Sequence, residues 1–212
     1  MMIADNADLL RAQRSFRQVL DAFARPGLVR AVEPDAEDGV RPASLDGALC
    51  ALARLFVDQA VTFAIADAES DAAAIYLASE THARRASVDE ADFIIVPGRA
   101  DARVVSESIA HAKPGTPTSP EMGATVLLGC THVASAPAAN EALKPGMVLV
   151  EVAGPGVKDT NRFAVDRDSW VAARQERADE FPCGIDIALV DPAGNVVAIP
   201  RTSAVSVEGG MR

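Results

Sequence analysis

The order of the apolar segments constrains the fold of this chain more than any other feature, because strand-like and helix-like segments alternate through its first half. Two short apolar runs, "AVTFAIA" at 60–66 and "ADFIIVPG" at 91–98, are typical of strands, and an alanine-rich helix through Ile75 and Leu77 is predicted between them. This alternation indicates an α/β architecture with a mixed, mostly parallel sheet and flanking helices. Further helices are predicted over 6–24, over 42–58 with Ser44 as the N-cap, and near 102–112.

The second half of the chain has a different pattern, in which strands follow one another and the only clear helix covers 168–179. Antiparallel pairing is therefore expected there. No repeat or long linker divides the 212 residues, so a single α/β domain over 1–212 is predicted. Its remaining strands are predicted at 28–33, 124–130, 146–154 and 161–165, and in the two arms of a hairpin within 181–203.

The charge of the chain restricts its partners. A formal net charge of -10 makes the surface repel nucleic acid and anionic lipid on average, so we expect neither as a partner. The amino-terminal stretch "MMIADNADLL" has acidic residues where a secretory signal needs basic ones, which predicts a cytoplasmic protein. Cys50, Cys130 and Cys183 are far apart in the sequence and are expected to be small buried apolar side chains.

Two loops contain residues suited to ligand binding, and each also has a structural explanation. In "GPGVKDTN" at 154–161, Pro155 removes a backbone donor that a phosphate-binding loop would need, so a tight turn between strands is favoured. "KPGTPTSPEMGATV" at 113–126 contains three prolines and is predicted to be stiff and extended. In it, Thr116, Ser119 and Glu121 either line a pocket or partner surface or face solvent, and both interpretations stay open.

No catalytic or metal-binding group of residues is predicted, so the catalytic residues stay unknown. The three histidines lie on separate segments without a second ligand at metal-binding spacing. The three lysines, Lys113, Lys144 and Lys158, all lie near proline or glycine, where a Schiff base to a pyridoxal cofactor is not expected.

The final hairpin places an acid, Asp186, in its first strand and a base, Arg201, just after its second. With "DPAGN" as the turn, Val190 is expected opposite Val196 and Asp186 opposite Pro200. Arg201 would then point to the other face of the hairpin. One bulge residue would instead align Asp186 with Arg201.

Asp186 lies among apolar residues, and a buried carboxylate needs hydrogen-bond donors. We expect Arg201, or the region of Thr202 and Ser203, to supply them and so to lock the hairpin to the body of the protein. An anion pocket built by Arg201 is the alternative.

Arg25 belongs to "RPG" at 25–27, in which the proline and glycine end the first helix. A cation at this position complements the helix dipole, so helix capping is the favoured interpretation. Contact with a partner or a phosphate group is the alternative.

The chain resembles the PhnH family, the H subunit of the bacterial carbon-phosphorus lyase core complex, in four segments that occur in order along it. They are "FRQVLDAFARPG" at 16–27, "KPGTPTSPEMGATVLL" at 113–128, "AGPGV" at 153–157 and "FPCGIDIALVDPAGNVVAIPRTS" at 181–203. One departure is Ser203, where the family pattern leads us to expect threonine. The resemblance implies a fold like that of pyridoxal-phosphate-dependent transferases, without the cofactor or its lysine.

The resemblance also implies a function in phosphonate breakdown. The H subunit would act with its G, I and L partners to convert methylphosphonate and MgATP into ribose 1-methylphosphonate 5-triphosphate and adenine, and the J subunit would cleave the carbon-phosphorus bond. This chain would be a homodimer when alone and would bind no cofactor itself. Whether it is an enzyme in its own right stays open, and the alternatives are a stand-alone pyridoxal-type transferase, a phosphate-binding enzyme, or a scaffold without substrate contact. The candidate residues for substrate or partner contact are Arg25, Thr116, Glu121, Asp186, Arg201 and Thr202.

Overall fold

Strands and helices alternate through the first half of the chain, as predicted, in a computed structural model that describes residues 6–36, 40–67, 71–138 and 141–208. Residues 1–5 of the amino-terminal stretch considered above lie outside these ranges. The helices of the described residues are α1 (Asn6–Ala24), α2 (Gly47–Phe56), α3 (Asp71–Thr81), α4 (Ala102–His111) and α5 (Ser169–Gln175), with short 3-10 turns at Pro120–Met122 and Ala178–Glu180.

Eleven strands are present in the same ranges. They are β1 (Arg30–Ala31), β2 (Thr62–Ile65), β3 (Arg84–Arg85), β4 (Phe93–Val96), β5 (Thr125–Gly129), β6 (Val133–Ser135), β7 (Val148–Ala153), β8 (Asn161–Val165), β9 (Asp186–Val190), β10 (Asn195–Ile199) and β11 (Ala204–Val207).

The larger sheet has seven strands in the order β1-β10-β9-β5-β4-β2-β3. Strand β10 is antiparallel to both of its neighbours, whereas every other pair in this sheet is parallel. Six strands therefore run in one direction, which confirms the mixed, mostly parallel α/β sheet.

The smaller sheet contains four antiparallel strands in the order β11-β7-β8-β6. Antiparallel pairing in the second half of the chain is thereby confirmed for this sheet and for the β9–β10 hairpin, whereas β5 pairs in parallel with both of its neighbours. Asp191, at the hairpin turn, links the two sheets because its buried carboxylate accepts a hydrogen bond from the Val133 backbone N–H of β6 at 2.9 Å.

Both faces of the larger sheet are covered, as near-continuous apolar strands require. On one face, residues such as Ile95 and Leu127 pack with α1, α2 and α3. On the other face, Ile94 and Val126 pack with the smaller sheet, α4 and α5. The carboxyl-terminal hairpin contributes to both apolar clusters.

Several predicted boundaries were wrong, for identifiable local reasons. Helix α2 begins at Gly47, because the carboxylate of Asp46, and not the Ser44 hydroxyl, accepts the free backbone N–H groups of Ala48 and Leu49, each at 2.9 Å. The helix predicted over 168–179 stops as an α-helix at Gln175, and a separate 3-10 turn follows.

One strand was predicted to be too long, and three short strands were not predicted. The extended segment over 28–33 contains only the two-residue strand β1. Strands β3, β6 and β11 were not predicted, because these short segments lack a longer apolar run of the kind that contains β2 and β4. Among the helices of the described residues, none combines the length and apolarity needed to cross a bilayer. The likeness to pyridoxal-phosphate-dependent transferases stays a prediction.

Candidate functional site

The final hairpin has the predicted register. Val190 pairs with Val196 and Ile187 with Ile199, which places Asp186 across from the position of Pro200. Gly194 has a φ of 88°, in the left-handed region that the turn requires, and its N–H donates to the Asp191 carbonyl at 2.9 Å.

Arg201 nevertheless pairs with Asp186, so the prediction that it points to the other face was wrong. The chain leaves β10 after Ile199 in a turn closed by a 2.9 Å hydrogen bond from the Ser203 N–H to the Pro200 carbonyl. Strand alternation therefore ends before Arg201, and no bulge is needed. The Arg201 backbone N–H donates to Asp186 Oδ1 at 2.7 Å, and its Nη2 donates to Oδ2 at 2.5 Å.

Each of the three guanidinium nitrogens of Arg201 donates to a protein acceptor. Besides the Nη2 contact, Nε lies 3.3 Å from Asp186 Oδ1, and Nη1 donates to the Pro120 carbonyl. Only 16% of the Arg201 side chain and 19% of the Asp186 side chain are exposed. This geometry supports the interpretation that Arg201 locks the hairpin, and not that its guanidinium alone forms an anion pocket.

The segment at 113–123 is folded back on itself, so the prediction of an extended connector was wrong. Thr116 and Ser119 exchange backbone hydrogen bonds across a tight turn, and the 3-10 turn at Pro120–Met122 follows. The Thr116 hydroxyl accepts the Ser119 N–H at 3.1 Å and is exposed. Glu121 is exposed and forms no hydrogen bond or ion pair with a described residue.

Arg25 lies apart from the Asp186–Arg201 pair. Its side chain is 61% exposed and pairs with Asp21, one helical turn earlier, at 3.4 Å. Asp21 also accepts a hydrogen bond from Arg30. These contacts fit the capping interpretation of Arg25.

The loop "GPGVKDTN" connects β7 and β8, as predicted, and brings two other motifs together. A Cβ at Gly156, where φ is +83°, would lie 2.4 Å from the Ala24 carbonyl oxygen at the end of α1. A Cβ at Gly154, where φ is +133°, would lie 2.9 Å from the Thr202 carbonyl oxygen. The loop can therefore contact both "RPG" and "PRTS" because both positions are glycine.

Arg174, in the last turn of α5, is a site residue that the sequence analysis missed. It is only 5% exposed, and its Nη2 donates to the Arg201 carbonyl at 2.6 Å and, more weakly, to the Ser203 carbonyl at 3.4 Å. The available signal was its spacing, because it follows the buried residues Trp170 and Val171 by four and three positions. Burial and the neighbouring cation Arg177 lower the pKa of Arg174 from its ordinary value.

Arg177 is also buried, but it is satisfied. Its Nε donates to the Glu180 carboxylate at 3.0 Å, and its two terminal nitrogens donate to the carbonyls of Ile109 and Ala112. Arg177 therefore ties α4 to the segment after α5, whereas Arg174 has only carbonyl partners.

A cleft of about 230 Å³ opens beside Arg174. Its lining combines guanidinium, amide and hydroxyl groups with apolar carbon, and among the described residues no carboxylate lines it. Two of the lining residues, Arg174 and Ser203, each have a buried polar atom, Nε and Oγ respectively, without a hydrogen-bond partner in the described part of the chain. The lining residues are Arg174, Gln175, Ala178, Phe181, Arg201, Thr202, Ser203, Ala204 and Val205.

Of the predicted contact residues, the structure brings Asp186, Arg201 and Thr202 together at this cleft or directly beside it. Arg25, Thr116 and Glu121 do not line it. Lys113 is held by Asp92 at 2.6 Å, while Lys144 and Lys158 are exposed. Within the described ranges, no group of three or more His, Cys, Asp or Glu side chains could hold a metal ion. That this chain binds no cofactor stays a prediction.

The similarity of this chain to known proteins extends over the segments that meet around this cleft. A family model described as "Bacterial phosphonate metabolism protein (PhnH)" matches residues 4–206. A Stutzerimonas stutzeri protein named "Putative C-P lyase subunit protein HtxG" is 29% identical over 207 residues, which cover 94% of this chain and 88% of that protein. The family match extends from α1 through the final hairpin to β11, and the chain therefore belongs to the PhnH family of bacterial phosphonate metabolism proteins.

Proposed function

We propose that this chain is a non-autonomous subunit of a cytoplasmic carbon-phosphorus lyase complex. The observation that carries the proposal is the family match over 4–206, which includes both sheets and every motif around the cleft. The name of the Stutzerimonas relative, a C-P lyase subunit protein, supports membership of a complex.

Within that complex, the chain would act with G, I and L partner subunits on MgATP and methylphosphonate. A phosphonate oxygen forms a bond to C1′ of the ribose, the glycosidic bond to adenine breaks, and the phosphonate proton leaves with the adenine. The product, ribose 1-methylphosphonate 5-triphosphate, would go on to the step in which the J subunit cleaves the carbon-phosphorus bond. The donors lining the cleft support a role for this chain in holding a phosphorus oxyanion.

Reconstitution tests the proposal. We expect the partner subunits to release adenine from MgATP and methylphosphonate only when this chain is added, and the chain alone to release none. A tagged chain should also co-purify with those subunits. Adenine release by the purified chain alone would favour a stand-alone phosphate-binding enzyme, and full activity of the partners without the chain would contradict the proposal.

We also propose that the isolated chain forms a homodimer through α1. Helix α1 exposes Leu9, Phe16 and Leu20, at 62%, 40% and 51%, on positions seven and four residues apart that share one face. Sedimentation equilibrium should report a dimer for the wild type and a monomer for Leu20→Glu. Ile75→Glu, at an equally exposed position on α3, is the matched control and should leave the dimer intact.

A further inference from the structure

We propose that the cleft beside Arg174 binds the tetrahedral oxyanion of a phosphonate or phosphate group, with Arg174 and Ser203 as its principal donors. The choice of a phosphorus oxyanion rests on the proposed function, whereas the anion site itself rests on the geometry of the cleft.

The first argument is the incomplete pairing of a buried cation. Arg174 is only 5% exposed, and both of its side-chain hydrogen bonds to described residues go from Nη2 to backbone carbonyls. No described carboxylate forms an ion pair with it, because those of Glu180 and Asp186, which act on it at longer range, are paired with Arg177 and Arg201. Arg177, a second buried arginine, differs in that it pairs with the Glu180 carboxylate as well as with backbone carbonyls.

The second argument is the buried hydroxyl of another residue that lines the cleft. Ser203 is also 5% exposed, and its Oγ has no partner within the described residues. The carbonyls of Arg201 and Ser203 accept hydrogen bonds from Arg174 Nη2. Among the described residues, Arg174 Nε and Ser203 Oγ still have no hydrogen-bond partner. A ligand that accepts several hydrogen bonds at once would satisfy both.

The third argument is the charge and size of the cleft. Its lining adds the exposed Thr202 hydroxyl and the Gln175 amide to Arg174 and Ser203, without a carboxylate among the described residues. A volume of about 230 Å³ accommodates a small phosphonate or the phosphate end of a larger molecule. Such a local cationic site is needed for an anion to bind to a chain whose net charge is -10.

Calorimetric titration of the isolated full-length chain tests this inference, with methylphosphonate, inorganic phosphate and MgATP as separate ligands. We expect at least one of them to bind. Ser203→Ala should weaken that binding by roughly tenfold to a hundredfold, the effect of losing a hydrogen bond to a charged group. Arg174→Lys should weaken it at least as much, and Arg103→Gln, which removes an exposed arginine on α4, should have no effect.

Thermal unfolding separates binding from structure. Because Ser203→Ala removes an unsatisfied hydroxyl, the Tm of the ligand-free variant should equal or exceed that of the wild type while affinity falls. Tighter binding of methylphosphonate than of MgATP would identify the free phosphonate as the ligand, and the reverse would identify the triphosphate.

Two results would overturn the inference: no binding of any of the three ligands at millimolar concentration, or equal binding by the wild type and Ser203→Ala. If Ser203→Ala lowered both the Tm and the ligand affinity, the role of Ser203 would be structural, and this result would also contradict the inference. Co-purification with the partner subunits is measured independently of ligand binding. The subunit role can therefore be contradicted while the anion site is confirmed, or the anion site contradicted while the subunit role is confirmed.

Discussion

At the scale of single residues, the Asp186–Arg201 pair fixes the position of the final hairpin. We expect Asp186→Ala to lower the free energy of unfolding by about 3 kcal/mol, the lower end of the range for breaking a buried pair, because 19% of the Asp186 side chain is exposed. Urea unfolding measures the change.

The matched controls for this prediction are Asp186→Asn, which keeps an acceptor for the Arg201 backbone N–H, and the double variant Asp186→Ala/Arg201→Met, which leaves no unpaired charge. Both should be more stable than Asp186→Ala. A fully stable Asp186→Ala protein that had lost only complex activity would instead assign Asp186 and Arg201 to ligand binding.

Asp92 makes the stability of the protein depend on pH. Burial alone would raise its pKa, but hydrogen bonds from Lys113 Nζ at 2.6 Å and from the Thr62 N–H at 2.7 Å outweigh burial and lower the pKa. The folded state therefore binds this proton less readily than the unfolded state. Ionised Asp92 therefore makes its full contribution to stability above the unfolded pKa of about 3.9. This contribution is lost as the pH falls through the lower folded pKa.

The test compares wild type and Asp92→Asn by urea unfolding at several pH values. We expect the wild type to be more stable at neutral pH and the difference to shrink progressively below about pH 4, because Asp92 is protonated first in the unfolded state and, at lower pH, in the folded state as well. Stability curves that stay parallel down to the lowest pH would show that Asp92 does not contribute in this way.

The residues around the cleft show what could and could not be predicted from the sequence. The need of Asp186 for donors followed from its apolar neighbours, and Arg201 was the obvious candidate. The spacing of Arg174 places it on the buried face of α5 but does not identify its partners, because an arginine on an apolar helix face is indistinguishable from one that reaches solvent until the segment after β10 is placed beside it. Ser203 belongs to a recognised motif, but the sequence could not show that its hydroxyl has no hydrogen-bond partner among the described residues, because that depends on long-range packing.

At the scale of elements, the start of α2 depends on one carboxylate. Asp46 accepts two backbone N–H groups at the amino end of this buried helix, whereas the Ser44 side chain makes no such contact. We expect Asp46→Ala to destabilise the protein by about 1 kcal/mol, the usual cost of losing an N-cap, and Ser44→Ala to have little effect. Thermal or urea unfolding measures both, and equal losses would contradict the assignment of the cap.

The apolar pattern of the sequence predicted the strands that lie in long apolar runs. It did not predict short strands that form only because a neighbouring strand offers them an edge. The strands β2, β4, β5, β9 and β10 are apolar enough to be recognised from the sequence alone. Strand β3 consists of Arg84 and Arg85, both exposed, and exists only because β2 offers it an edge. The prolines of 113–123 were taken as a sign of extension, but the left-handed Gly115 lets the segment turn back.

At the scale of the whole molecule, the buried thiols report on global opening. Burial raises the pKa of Cys50 to about 12 and raises that of Cys130 further, so both stay protonated at neutral pH. In a Cys183→Ser variant, we expect a thiol reagent at pH 8 to label neither cysteine in the native state. Labelling should appear only as urea unfolds the protein, with the midpoint seen by circular dichroism. Rapid labelling without denaturant would show that a part of the core opens locally.

The order of strands in the larger sheet also determines when this protein can finish folding. Strands β9 and β10 are made after β1 to β8, yet they lie between β1 and β5, so the Arg30–Val196 and Thr125–Asp186 pairs join distant parts of the chain. Until the ribosome has released residues 186–199, β5 has an open apolar edge, and α1 lacks the β10 surface on which it packs. The larger sheet therefore stays incomplete while β1 to β8 are being made, and its closure must wait until residues 186–199 have left the ribosome.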